Sequence, residues 1–420
     1  MKKLLTDERS RSIVSDIKKH TIPIYKVGIQ SRRFIMKKRA LTLLLTAALS
    51  AGLLAGCGSS SDSSTAASDS QTNAETTDSE SEDTAEAADT ADTASDSKGS
   101  LRVLGWNSMV GHIDSALAYA AGYYADEGLD VEMTYNNSNP DNIQALLQDK
   151  ADLVSAGATA VLNYIDQGSD IVIIGGQMSE GASLYALPDR ASEFTELNEE
   201  TLAGKKVGVT RLNTGDIAFR KMLKDRGVDV SKIEFVELDS QATVVEAVKK
   251  GEVDLGIAFL TYRQSAEAQG LVPVSYLDGE DEWPGFICCR MFTTREKLEA
   301  NRDAYVAALK ANIRAYELMQ TDEDTTIKYA LQELETDEDT IRSQVYEYGH
   351  IGFSPNPDVK DTDQFFQAMV DIGYSEGNVD MKDYIDPTVF EDALNELLQE
   401  DSDNEVYLQL QADDQATNQD

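Results

Sequence analysis

Past residue 100 the chain alternates short apolar runs with stretches of helical period. Residues 101–106, 129–135, 152–156 and 171–175 are apolar and strand-like, while 114–127, 140–149 and 159–167 repeat their apolar positions at helical spacing. Strand, helix, strand at this interval predicts parallel sheet with crossover helices. The same texture returns at 206–210, 216–226, 233–238, 242–250, 253–258 and 262–268. Two similar units in tandem are therefore expected, and the chain can be tested against itself.

An offset of 102 aligns residues 145–168 with 247–270 and gives identity at Ala145/Ala247, Asp152/Asp254, Leu153/Leu255, Ala156/Ala258, Thr159/Thr261, Gln167/Gln269 and Gly168/Gly270. Upstream, Gly128-Leu129-Asp130-Val131 is echoed by Gly227-Val228-Asp229-Val230, each between a helix and the next strand. From residue 294 to 319 the pattern is helical, followed by two copies of Thr-Asp-Glu-Asp-Thr at 321–325 and 336–340. Each copy puts an acid three residues after a Thr, which predicts helix N-caps with acidic first turns. Neither has the alternating acids, glycine and distal Glu of a calcium loop.

The front of the chain differs. A basic head at Met36-Lys37-Lys38-Arg39 precedes an apolar stretch over 40–56 that ends in small residues, the shape of an export signal. The stretch is short for a permanent membrane span. Its ending, Leu54-Ala55-Gly56-Cys57, resembles the lipobox of bacterial lipoproteins, which implies a thioether-linked lipid on Cys57 and anchoring at the extracytoplasmic face of the cell membrane. Two acyl chains hold where a single one does not. Met36 is expected to be the initiator, with 1–35 an upstream extension. Residues 58–100 carry 11 acids, one Lys and no aromatic or branched aliphatic side chain, so they are expected to form a disordered tether.

Charge narrows the function. The chain of 420 residues has a formal net charge of −38, and because residues 1–56 hold 12 basic and 3 acidic side chains the remainder is more acidic still. Such a surface repels polyphosphate and excludes nucleic acid as a partner. Three histidines and three cysteines suit neither a His-based zinc cluster nor a disulfide-stapled scaffold. Gly208 to Gly215 leads into Asp216 rather than Lys-Ser/Thr and is no phosphate loop, and 181–185 lacks the closing Gly of a nucleophile elbow. Adjacent Cys288 and Cys289 in an apolar strand pattern read as buried small hydrophobes.

Several strings together resemble the substrate-binding proteins of bacterial ABC importers for nitrate, sulfonate, taurine and thiamine-pyrimidine precursors. They are Gly105-Trp106, the run Ala120-Ala121-Gly122-Tyr123-Tyr124-Ala125-Asp126-Glu127-Gly128-Leu129-Asp130-Val131, Ala145 to Leu153 leading into Gly157-Ala158, and in the second unit Leu202 to Val209 and Gly251 to Leu255. The resemblance implies an α/β, type II periplasmic-binding-protein fold: two doubly wound α/β lobes joined by two crossover strands, with ligand between them. It divides the chain into an extension and signal (1–56), a lipidated Cys and linker (57–100), lobe 1 (101–187), lobe 2 (188–286), a return to lobe 1 with C-terminal helices (287–400) and an acidic tail (401–420). The crossovers are expected near 185–190 and 283–291. The implied protein is a monomer without cofactor or metal that captures a small molecule and engages permease subunits. A pyrimidine synthase on the same fold and a surface sensor or interaction protein are the alternatives; the lipoprotein signal and the single Cys-Cys pair argue against the synthase.

In parallel sheets ligands sit beyond the C-terminal ends of strands, where loops enter helices. That selects Trp106, Asn107 and His112; Ser155, Gly157 and Thr159; Thr210, Asn213, Thr214 and Asp216; and Phe259 and Tyr262, with Trp283 as a further aromatic wall. The hydroxyls and amide offer short donors, Gly157 and Gly215 bring backbone N–H groups toward an oxyanion, and the aromatics stack on or wall a ring. Trp106 and Phe259 read equally as core, and Ser155, Thr159 and Thr214 as helix caps. Arg211 and Arg263 favour an anion or decorate the rim, whereas Asp216 favours an amine, so the ligand's charge is left open.

Overall fold

The computed structural model describes residues 97–419 except 211–212, 281 and 284–285. The export segment, Cys57 and nearly all of the acidic tether lie outside these residues. The first sheet comprises β1 (Gly99–Gly105), β2 (Leu129–Tyr135), β3 (Leu153–Gly157) and β4 (Ile171–Gly176). A short strand β5 (Met178–Glu180) follows, and the second sheet begins with β6 (Ala182–Ala186), β7 (Lys206–Thr210), β8 (Glu234–Leu238), β9 (Leu255–Phe259) and β10 (Val272–Tyr276). The chain then returns as β11 (Cys289–Thr294), and β12 (Ile351–Phe353) closes the set.

The strand orders are β2-β1-β3-β11-β4 and β8-β7-β9-β6-β10. In each sheet the first three strands are parallel and the fourth, β11 or β6, runs antiparallel to both neighbours. That fourth strand is in both cases the one that arrives from the other lobe. The duplication seen in the sequence is structural: an offset of 102 carries β3 onto β9 residue for residue. It also carries Ser138, which caps the helix Asn139–Leu147, onto Ser240, which caps Gln241–Lys250. The two copies thus share their strand and their helix-start chemistry.

The sheet order moves the first crossover. Residues 182–186 already lie in the second sheet, so the chain changes lobes at 177–181, ahead of the expected 185–190. All five residues of β6 are buried, and a fully buried strand looks the same in either sheet. The second crossover occupies 277–288, overlapping its expected place. The two run side by side: Ser179 bridges Ile287, the Glu180 N–H donates to the Phe286 carbonyl at 2.8 Å, and the Cys288 N–H donates to Met178 at 3.2 Å. On its other edge β5 pairs with β12.

A third tie comes from the C-terminal region. The helix Val359–Asp371 packs between the lobes, with Phe365 against Trp283 at 5.9 Å between ring centroids. Lys221 and Lys224 of lobe 2 reach Asp371, and His350 meets Asp278 at 2.9 Å while stacking on Tyr276 at 3.8 Å. One hydrophobic core consequently runs from Val154 and Ile173 through Phe365 to Val207 and Ile257. A second core belongs to lobe 1 and its outer helices.

Residues 401–420, expected as an acidic tail, contain the helix Glu405–Thr417. Its few apolar contacts are well used: Tyr407 and Leu410 are buried, the Tyr407 hydroxyl donates to Glu317 at 2.5 Å, and Asn418 holds Asn356 at 2.7 Å. Leu410→Ala is expected to lower unfolding free energy by about 2–3 kcal/mol, as read by urea denaturation; a change within error would mean that the helix is not docked. The caps at 321–325 and 336–340 are also shifted by one residue. Asp322 and Asp337, not the threonines before them, accept from Thr325 and Thr340 at 3.0 and 2.8 Å, because Thr321 ends the preceding helix and donates back to Glu317. Among the described residues no helix is long and apolar enough to cross a membrane.

Candidate functional site

The lobe 1 side of the seam is built where β1, β3 and β4 end. Trp106 is buried, donates through Nε1 to the Ser155 carbonyl at 3.0 Å, and stacks on His112 with ring centroids 5.0 Å apart. The His112 Nδ1 faces the Gln177 Oε1 at 2.6 Å and the Ser155 Oγ at 3.1 Å. Asn142, on the helix after β2, reaches the Ser155 carbonyl at 3.4 Å. Buried polar side chains therefore converge on the C-terminal end of β3, where it passes directly into the helix Ala158–Asp166. Gln177 Nε2, Asn142 Oδ1 and Thr159 Oγ1 are buried and have no protein partner.

Lobe 2 meets this cluster through Thr214, at the start of the helix Thr214–Asp225. Its Oγ1 donates to the Cys288 Sγ at 3.5 Å. Cys288 in turn receives the Ala158 N–H on its carbonyl at 2.7 Å and gives its own N–H to Met178. One crossover residue thus touches the start of the lobe 1 helix, the other crossover and lobe 2. Gly215 is required at this approach: a Cβ there would lie 2.9 Å from the Ala182 Cβ and 3.0 Å from Ile257. Thr210 and Thr261, at the C-terminal ends of β7 and just past β9, also carry buried hydroxyls without a protein partner.

The structure redirects several candidates. The N–H groups of Gly157 and Gly215 are not free for an oxyanion, since they donate to Asn139 at 2.8 Å and Asn213 at 3.0 Å. Asn213 is therefore a helix cap. Asp216 is buried and committed, accepting from Arg220 at 2.7 Å and from the Tyr374 hydroxyl at 2.7 Å. It closes the lobe 2 helix onto the C-terminal region and does not await an amine. Trp283 donates to the Ala218 carbonyl at 2.9 Å and packs on Phe286 and Phe365, which makes it core. Phe259 is buried behind Gly181. Asn107 bonds Asn137 and Glu335 on lobe 1, Tyr262 is half-buried against the β9 side, and Arg263 pairs with Glu267 at 2.8 Å on the rim; Arg211 lies outside the described residues.

Gln177, Asn142 and Cys288 were not among the expected site residues. Gln177 had a signal, a lone amide directly after the buried strand ending Gly175-Gly176. Asn142 had a weaker one, a polar residue on the inward stripe of its helix. Nothing in the spacing indicates that Cys288 reaches Thr214, some seventy positions away.

Burial sets the protonation of this region. It lowers His112 to a pKa of about 4, against the opposing hydrogen bond to Gln177, so the ring is neutral at pH 7. Burial, with Asp278 and Asp361 nearby, pushes Glu180 up to about 8, and burial, against an opposing hydrogen bond from its own backbone, brings Asp114 to about 7. Glu180 also holds a left-handed φ of 63°, unusual for a residue with a Cβ. The linkage signs oppose each other. His112 takes a proton more readily unfolded, so stability drops as pH falls from 6.5 toward 4. Glu180 gives up its proton more readily unfolded, so stability drops as pH rises from 4.5 through 8. Glu180→Gln is expected to stabilise the protein by roughly 2–4 kcal/mol at pH 8.5 and little at pH 4.5. Urea midpoints at the two pH values check this; equal effects at both would refute it.

A concavity of about 830 Å³ lies elsewhere, on the outer helices of lobe 1. Its Lys310 is already surrounded by Glu127, Glu396 and Glu400, and its Arg302 pairs with Asp392. It has no connection to the seam residues.

Two lobes of this strand order, with convergent buried polar groups where they meet, define the class of two-lobed binding proteins. The model of the family described as NMT1/THI5 like matches residues 110–325, just over half of the chain, and the chain belongs to that family. YtlA of Bacillus subtilis (strain 168), which carries a binding-protein name, is 23% identical over 249 residues, 57% of this chain and 73% of YtlA. Among solved structures, the periplasmic aliphatic sulphonate binding protein SsuA from Escherichia coli matches with a TM-score of 0.57 and 16% identity over 69% of this chain and 92% of its own. The periplasmic nitrate-binding protein NrtA from Synechocystis PCC 6803 matches with a TM-score of 0.57 and 13% identity over 72% and 89%. At these identities the likeness is one of fold, and it is the fold expected from the sequence.

Proposed function

We propose that this protein is the solute-binding component of an ABC importer, taking a small polar molecule between its lobes and delivering it to a membrane permease. The observation that carries the reading is hydrogen-bonding capacity left unpaired on both sides of the seam. Gln177 and Thr159 supply it from lobe 1, and Thr210 and Thr261 from lobe 2. Buried polar groups without partners are costly, and a ligand that pairs with both sides recovers that cost only when the lobes are together. Relatives of this fold that are named for sulfonate and nitrate binding support the role without specifying the cargo. Binding without turnover is part of the reading, as are a monomeric body, an acidic face that meets basic permease loops, and anchoring by lipid on Cys57.

A thermal-shift screen over taurine, alkanesulfonates, nitrate, amino acids, pyrimidines and flavins tests it. A true ligand stabilises the protein by about 2.7 kcal/mol at one hundred times its Kd. If every compound left the midpoint unchanged while refolded, ligand-stripped protein turned over a substrate, the reading would be wrong. Anchoring is tested by fatty-acid labelling: label is expected in the wild type and absent from Cys57→Ser, and equal label in both would sink it.

A further inference from the structure

We propose that Cys288 and Cys289 form a redox modification site, a dithiol that closes to a vicinal disulfide by exchange with a small-molecule disulfide and thereby loosens the seam between the lobes. In a regular strand adjacent side chains point to opposite faces. Here the Cys289 Sγ lies 3.4 Å from the Cys288 Sγ, with Cys288 just outside β11 and Cys289 its first residue. The start of the strand thus gathers two thiols that a regular strand would separate.

Their environments differ in the way thiol exchange requires. Hydrogen bonds from Cys289 and from Thr214 hold the Cys288 thiol below its ordinary range despite burial, and Cys289, which donates to Cys288 and is buried, is pushed up. Cys288 is the attacking sulfur. Its thiolate attacks one sulfur of a disulfide R–S–S–R, giving a mixed disulfide and releasing RS⁻. Cys289 then loses its proton, attacks the Cys288 sulfur and expels the second RS⁻. Two protein thiols give up two protons and two electrons, and the small disulfide is reduced to two thiols. Both sulfurs are buried, so the exchange proceeds from the form in which the lobes part.

The consequence lies in the peptide that links the two residues. Adjacent Cα atoms stand about 3.8 Å apart, closer than ordinary disulfides tolerate, so closing the ring twists that peptide. Its carbonyl is the acceptor for the Ala158 N–H, and its nitrogen-side neighbour holds Met178. Oxidation therefore disturbs the junction between β3, which carries Ser155, and the helix that carries Thr159, and replaces the thiol that faces Thr214. The oxidised ring is the easily reduced kind, suited to reversal. The proposal rests on the extracytoplasmic placement above, where disulfides persist.

The test incubates the full chain, natively folded, with oxidised glutathione, followed by acid quench, alkylation and peptide mapping. The peptide bearing both cysteines is expected to lose two hydrogens and to retain no glutathione. Amide exchange at residues 158–160 and 178–180 is expected to rise by about tenfold. Cys289→Ala should instead stop at a glutathione adduct on Cys288. Persistent free thiols, or adducts on the wild type that never resolve, would overturn the modification. Ring closure with unchanged exchange would overturn the coupling to the seam. The ligand response of the reduced protein is read separately by thermal shift, so a failure here and a failure of the solute-binding reading are told apart.

Discussion

Gly176→Ala is expected to destabilise the protein by about 3 kcal/mol or more, a large effect for one added methyl group. Gly176 ends β4, and the segment 354–356 passes directly over it, with the Gly176 N–H donating to the Pro355 carbonyl at 2.9 Å. A Cβ at this position would stand 2.6 Å from the Ser354 carbonyl oxygen and closer still to that of Asn356. Both obstacles are backbone, so no rotamer change relieves them. Asn356 is itself fixed from the far side by Asn418 and Thr417, and the overlying segment has little room to retreat. The strain falls on the next residue, Gln177, so the same substitution should weaken ligand binding as well as fold stability. Urea denaturation reads the first effect. A loss below about 1 kcal/mol would show that the 354–356 segment is not seated on β4.

The second large effect is on binding. Gln177→Ala is expected to weaken the affinity for the compound giving the greatest thermal shift by about tenfold to a hundredfold. The side chain is fully buried; its Oε1 accepts from His112 and its Nε2 has no protein partner. Truncation removes the donor offered to a ligand and leaves the neutral His112 ring with the Ser155 hydroxyl as its remaining acceptor. Because the lost amide also orients His112, a modest fall in stability accompanies the loss. Calorimetric titration separates the two: Asp216→Asn, which acts on the Arg220 and Tyr374 tie, should alter stability with affinity nearly unchanged. Equal affinity losses in the two variants would mean that Gln177 acts only through the fold.

The physical reasons for what the sequence disclosed are specific. The repeat at an offset of 102 was readable because β3 and β9 are buried on both faces, where composition is constrained, and because Ser138 and Ser240 start equivalent helices. The position of the first crossover was not, since β6 is buried along its whole length just as β4 of lobe 1 is. The left-handed pair Glu180 and Gly181 just before it marks the change. Asp216 illustrates a signal that was present: Arg220 sits four residues on, the spacing of a helical ion pair. Its second partner, Tyr374, comes from 158 positions away and had no local trace. Gly157 and Gly215 were expected to turn free N–H groups toward an oxyanion, yet those groups donate to the neighbouring amides of Asn139 and Asn213. The C-terminal helix escaped notice because its apolar stripe is reduced to Tyr407 and Leu410, with polar ties in place of a continuous face.

The tie of Val359–Asp371 to lobe 2 bears on mechanism. Closure about the two crossovers alone would be nearly unrestrained, whereas Asp216–Tyr374, Trp283–Phe365 and Asp278–His350 make the C-terminal region travel with lobe 2 or hold it near lobe 1. Ligand then acts by favouring the form in which both sides of the seam are paired. Hydrogen exchange measured with and without the best compound of the screen tests this most directly. Simultaneous protection is expected at residues 155–160, 177–180, 208–210, 213–215 and 260–263, which border the seam from both lobes. Protection confined to one lobe, or to the groove between Lys98 and Lys310, would contradict a ligand held between them.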